Sequence, residues 1–184
     1  FDTTGTVGLV TNNGDGTFDY DPNGMFDHLD AAAVATDVFD YVVTDLTGFT
    51  DIGTVTISIT GVNDPAVSVP GGPYTVSYLS ETELLLDASG SDDVDDSDTI
   101  IQYAWDFDQD GTADFTTVSA VDVVPISTLQ ALGLDLGAHD IDLMVLSSDT
   151  TSDTATTTLL ITGVFFVQPV EDGMTDELLF SING

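Results

Sequence analysis

No lysine and no arginine occur in a 184-residue chain that carries 33 acidic residues. Two histidines and the amino terminus are the only groups that can become cationic. No carboxylate can therefore pair with lysine or arginine inside the chain. Like charges raise the free energy of a compact state, so something outside the sequence must offset them. Bound divalent ions would do so, and so would a saline medium with a short screening length. The acids are 29 Asp and four Glu. A merely solvated acidic surface can use either type. Asp has the short reach that suits turns and chelating loops, which favours calcium over a halophilic coat. Hydrophobic residues make up 42% of the chain, enough for packed cores despite the charge.

The same balance excludes partners. Nothing here neutralises phosphate, which rules out nucleic acid and disfavours an anionic membrane surface. No apolar run approaches the ~18 residues of a membrane span. Cysteine is absent, which removes disulfides, thiolate metal sites and thiol nucleophiles. A secreted chain without disulfides needs another staple, and calcium is a common one. His28 and His139 stand in neither a Ser/His/Asp nor a metal-hydrolase spacing. Carboxylate pairs are too numerous to single out a glycosidase pair. A non-enzymatic chain is expected. Phe1 is not an initiator, which suggests a processed or excised piece.

The chain reads as β throughout. Residues 1–64 offer a strand at Thr6–Val10, a turn cluster at Asn12–Gly16, and its hairpin partner at Thr17–Asp21. Phe39, Tyr41 and Val43 alternate, as do Val55, Ile57 and Ile59, around the acidic loop Asp45–Asp51. Asn63-Asp-Pro65 makes an extended linker. Residues 65–164 form a second β unit. Leu84 and Leu86 point inward, and Ser127–Leu132 reads as a short helix with Ser127 as N-cap and Gly133 after its end. Residues 165–184 carry two strand-like runs, Val167–Val170 and Leu178–Ile182. The segment from Asp51 through Thr54–Ile59 to Gly61-Val62 repeats at Asp153, Thr156–Ile161 and Gly163-Val164, an offset of 153 − 51 = 102. About 100 residues is the size of one immunoglobulin-like sandwich. The expected fold is thus all-β: tandem immunoglobulin-like antiparallel β-sandwiches, the first lacking strands at its N-terminal side.

Two acidic stretches are candidate cation sites. In Ile101–Asp114, period-2 geometry puts Ile101, Tyr103, Trp105 and Phe107 on one face and Asp106 and Asp108 on the other. Asp106, Asp108, Asp110 and Gly111 match the first, third, fifth and sixth positions of a calcium loop, and Asp114 the ninth. The bidentate Glu and the helices of an EF-hand are missing, so a weaker β-loop site is the reading kept. The alternative is a solvated strand edge running into an Asp-Gly hairpin. The run Ser89–Asp98 holds Asp92, Asp93 and Asp95 among others. It is either a solvated loop or a second calcium site, since so many acids are costly together without a counter-ion.

Asn13–Phe18, Tyr20–Gly24, Val43–Asp45 and Thr54–Asp64, which ends in Thr60-Gly-Val-Asn-Asp64, resemble a bacterial cadherin-like domain of the VCBS type. Asp87–Ser91, Tyr103–Phe107 and the closing strands Ile141–Ile161 are similar to a polycystic-kidney-disease (PKD) domain. The tail at 168–182 faintly resembles the start of another cadherin-like unit. These resemblances imply tandem sandwiches on a large secreted or surface protein, with calcium at linkers and loop ends. On matching positions they point to Asn63 and Asp64 in the linker, Asp45 and Asp51 in the hairpin loop, and Asp106. The second unit ends Gly163-Val-Phe-Phe166 without Asn-Asp, so no linker calcium is expected there.

The function expected is a calcium-stabilised extracellular structural or adhesive module on a bacterial cell surface. Its partners would be adjacent domains or neighbouring copies. The alternative is a subunit of a self-assembling filament or surface layer, a homopolymer joined by strand complementation. A carbohydrate-binding module would need an exposed aromatic platform, whereas the sole Trp is expected in the core.

Overall fold

The computed structural model describes residues 2–163. It is all-β apart from one short helix. Its contacts divide it into two compact units. One unit gathers the chain up to Val67 with Asp92–Ile101 and Leu146–Ser152. The other gathers Ser68–Ser91, Gln102–Val145 and, among the described residues, the chain from Asp153 to Gly163. The tail runs expected at Val167–Val170 and Leu178–Ile182 lie outside the described residues.

In the first unit, β1 (Leu9–Asn12) pairs antiparallel with β2 (Phe18–Asp21). The hairpin forms as its turn cluster indicates, but β1 starts at Leu9, later than the expected Thr6. Thr6 instead caps β3 from the side, its Oγ1 donating to the Val38 carbonyl. β3 (Val34–Thr44) and β4 (Thr50–Thr60) make an eleven-residue antiparallel ladder. Their Thr, Val and Ile content suits a pleated, half-buried surface. Asp45 fixes the turn: its Oδ1 accepts from the Thr47 and Phe49 amides at 2.8 and 3.0 Å, and Gly48 takes a φ of 90°. Gly53 sits opposite Tyr41, and a Cβ there would fall 2.5 Å from the Tyr41 ring.

The core of this unit is small. Phe39 and Val10 are buried. The Phe18 ring meets Phe39 edge-on at 5.1 Å and Tyr41 at 6.0 Å. Val55, Ile57 and Ile59 share the inner face of β4 yet stay half-buried, and Val43 is exposed.

The second unit is an immunoglobulin-like β-sandwich. Its larger sheet has five strands in the order β5 (Tyr74–Ser77), β11 (Ser152–Thr162), β10 (Gly137–Ser147), β7 (Ile100–Asp106) and β8 (Phe115–Thr117). The smaller pairs β6 (Glu83–Asp87) with β9 (Val121–Pro125). Leu84, Leu86, Trp105, Phe107, Val124, Ile141, Leu143, Val145, Leu159 and Ile161 are all buried between them. Ile101 departs from its expected face and is 46% exposed; the inward alternation begins only at Tyr103. Helix α1 (Ile126–Ala131) also differs from expectation: its N-cap is Pro125, with no side-chain cap. Proline's fixed φ already suits a helix start, and burial of Ile126 and Leu129 sets the helix phase. Gly133 follows its end with φ 77°.

Candidate metal centres

Between β6 and β7, in the first unit, Asp93 and Asp95 alternate inward and Val94 outward. Asp93 is 5% exposed and Asp95 2%. With Asp98 they bring one carboxylate oxygen each within 4.8 Å of one another. Asp98 was not singled out from the sequence, although it lies in the same acidic run; its Oδ1 accepts from Ser148 Oγ at 2.7 Å.

The neighbours hold this loop by its backbone and supply little to its carboxylates. The Asp95 amide donates to Asp93 Oδ1 at 3.3 Å, and the Asp64 amide to Asp95 Oδ2 at 3.0 Å. The Asp96 amide donates to the His28 carbonyl, and the Ser97 amide to Asp30 Oδ1. Asp93 Oδ2 and Asp95 Oδ1 are buried with no hydrogen-bond donor. Burial pushes the Asp95 carboxyl above its ordinary value, the Asp64 amide opposes that, and the charges of Asp93, Asp64 and Asp30 add to it. An ionised oxygen without a donor is costly in such a place. Two remedies exist: a proton, or a cation. A donor set made only of carboxylate oxygens suits a hard ion such as Ca2+.

The linker residues expected as ligands meet this loop in different ways. Asp64 supports Asp95 through its amide. Asn63 Nδ2 donates to Asp149 Oδ2 at 2.7 Å. Asp149, which sequence reasoning missed, also accepts from the Thr151 amide. That amide first, and then Asn63, hold its carboxyl below the ordinary range. Asp-Thr-Thr at a strand end is an Asx-turn signal that could have found it. Asp92 is exposed and meets Val67 through backbone bonds, so it stands outside the cluster.

In the second unit, β7 delivers the other cluster. Asp106, Asp108 and Asp114 bring oxygens within 4.8 Å of one another. Asp106 Oδ2 accepts from the Gly111 amide at 2.8 Å, while its Oδ1 is buried without a donor. Asp114 Oδ2 accepts from the Phe107 amide at 2.8 Å. Burial raises the Asp114 carboxyl above its ordinary value, and the charges of Asp108, Asp106 and Asp110 add to this. Asp110 lies outside the group; its Oδ1 receives the Thr112 amide at 2.7 Å and closes the turn. A groove beside this loop is lined by Ala104, Asp106, Gly111, Ala113, Asp142 and Met144 among others, with no histidine.

Asp45 and Asp51 join no acidic cluster among the described residues. Asp45 spends its carboxylate on the turn, and the Thr47 hydroxyl first among its donors keeps it below the ordinary range. Asp51 is exposed and accepts from the Ile52 amide.

No protein-family model matches the chain, and no curated protein does. Among solved structures, the chain is similar to the solution structure of the PKD domain from KIAA 1837 protein. The two are 20% identical, with a TM-score of 0.35, over 60% of this chain and 92% of that one. At that distance no site residue carries across.

Proposed function

We propose that the chain is a non-enzymatic structural or adhesive module of an extracellular bacterial surface protein, with calcium stabilising its fold. One observation carries this reading: two buried carboxylate oxygens, on Asp93 and Asp95, have no donor in a chain that has no lysine or arginine to offer one. Salt screening acts on exposed charge and supplies no ligand to a buried oxygen. A bound ion does. Asp98 completes the set, and the group on Asp106, Asp108 and Asp114 is a second candidate on the same logic. The resemblance of the two halves to cadherin-like and PKD domains supports the same role, with adjacent domains as partners.

Calcium that binds only the folded chain adds stability by mass action, and extracellular sites bind at about 0.1–1 mM. Melting should be compared in chelator, in millimolar calcium, and in sodium chloride at equal ionic strength. A rise in calcium alone supports the reading. An unchanged midpoint, or a rise that sodium reproduces, overturns it.

A further inference from the structure

We infer that a groove on the outer face of the five-stranded sheet takes a lysine side chain from a partner protein. The groove lies within the second unit. Alternation builds its floor. On β7, Tyr103 and Trp105 turn into the core, so Ala104 and Asp106 turn out. On β10, Ile141, Leu143 and Val145 turn in, so Asp142 and Met144 turn out. The loop after β7 comes back along the same strand, where the Asp114 amide donates to the Trp105 carbonyl at 2.8 Å. Ala104 is therefore 3% exposed although it faces away from the core. Between loop and strands remains a space of about 240 Å3, lined by Ala104, Ala113, Met144, Asp106, Asp142 and Thr154 among others. Met144 is 38% exposed, so the space is open to a residue carried on another chain.

The lining is divided chemically. Ala104, Ala113 and Met144 offer methyl and thioether surface. Asp106 and Asp142 offer carboxylates, and Thr154 a hydroxyl. Among the described residues, the Asp142 carboxylate receives hydrogen bonds on Oδ1 alone, from Thr156 Oγ1 at 2.6 Å and Gln109 Nε2 at 3.2 Å. Its Oδ2 is left over. Asp106 Oδ1 is buried without a donor. Apolar surface beside unspent anionic oxygens fits a side chain with an aliphatic stem and a cationic head. An ammonium group has only donors, and the two carboxylates and the hydroxyl accept.

The occupant is foreign. No lysine or arginine occurs in the 184 residues, so a second copy of this segment has no such side chain to offer. A chain this acidic draws basic partners from a distance. The groove gives that diffuse attraction one fixed point, where a cationic anchor enters a pocket. The inference does not rest on the calcium reading. Asp142 and Thr154 stand outside the group formed by Asp106, Asp108 and Asp114.

Methyl-labelled methionine makes the test direct, because Met144 lines the groove and Met25 lies in the first unit. The probe is a capped tripeptide with a central lysine. It is titrated into the full chain in calcium, and again in chelator with sodium chloride. The Met144 signal should move to saturation while Met25 stays in place. Asp142→Asn keeps an acceptor oxygen for Thr156 and Gln109 and removes the charge, so it should weaken binding about tenfold or more. Ala113→Phe fills the groove with every acid kept and should abolish the shift. Asp140→Asn, on the same strand but outside the groove, should leave binding unchanged. Trp105 emission shows whether each variant is folded. This pattern in either buffer supports the inference. Met144 and Met25 moving together, no movement in either buffer, or a shift indifferent to Asp142→Asn overturns it. So does n-butylamine binding as tightly as the peptide, which would make the groove a site for free amines.

Discussion

The amide of Asp64 donates a 3.0 Å hydrogen bond to Oδ2 of Asp95, 31 positions further on. One oxygen of that carboxylate is thereby oriented by the linker backbone, while the other, Oδ1, has no donor. Replacing Asp95 with Asn separates charge from shape. An Asn oxygen can still accept from Asp64, and its amide group can donate toward Asp93. In chelator, Asp95→Asn should therefore melt higher than the parent chain. In millimolar calcium the order should reverse, because a ligand charge is gone and affinity falls by more than about tenfold. Calorimetry in both buffers checks the crossover. The same order in both would mean that no ion uses Asp95.

The pH dependence follows from the same carboxyl. Its folded value lies above the ordinary 3.8. Such a group holds its proton more tightly in the fold, so its stabilising contribution is present below 3.8 and lost as pH rises through the folded value. In chelator, parent and Asp95→Asn should be nearly equal in acid, and the variant should gain the advantage as pH climbs toward neutrality. Denaturant titrations at stepped pH would show it. A difference constant with pH would mean that Asp95 is not proton-linked to folding.

Much of this was legible from residues 101–114 and 51–64. Alternation placed Trp105 and Phe107 inside and Asp106 outside, and the 102-residue repeat matched β4 to β11. What sequence could not give was which acids meet. Asp110 and Asp45 satisfy their own turns, a local event that looks the same as chelation in a list of spacings. Asp98 and Asp149 depend on how distant segments return to one place. Ile101 was misplaced because alternation fixes a face only where the strand is covered.

Asp37 was not singled out either, since an acid on the inner side of β3 contradicts simple patterning. It is 3% exposed and accepts from the Val7, Gly8 and Val38 amides and from Tyr20 Oη at 2.7 Å. Burial raises its carboxyl, but these donors together outweigh that and hold it below the ordinary value. Burial and then the bond to Asp37 push the Tyr20 phenol up to about 12. Asp37→Asn would turn one acceptor oxygen into a donor facing donors. It should cost about 1–3 kcal/mol per bond left unsatisfied, and Tyr20→Phe less. Because a lowered carboxyl stabilises above 3.8 and ceases to as pH falls through its folded value, the Asp37→Asn cost should shrink in acid. Urea unfolding followed by circular dichroism checks both variants; a neutral Asp37→Asn would contradict the role.

Trp105 is the one tryptophan and is 1% exposed. Phe107 stacks beside it at 6.4 Å and 8°, and Tyr74 meets it edge-on at 6.0 Å and 76°. Tyr74 is fixed in turn, donating from Oη to the Pro70 carbonyl at 2.6 Å. Rings held this way cannot collapse freely into a void, so Trp105→Ala should leave a cavity and cost about 3–5 kcal/mol. Trp105→Phe keeps most of the contact and should cost less. The parent chain should emit at the short wavelengths of a buried indole and shift red on unfolding. Since Asp106 ends the same strand and Asp108 follows directly after it, the Ala variant should also bind calcium more weakly, and Phe should restore most of that binding. A water-exposed emission spectrum in the folded parent would sink the placement. Equal calcium binding by all three chains would show that the core does not position the Asp106 loop.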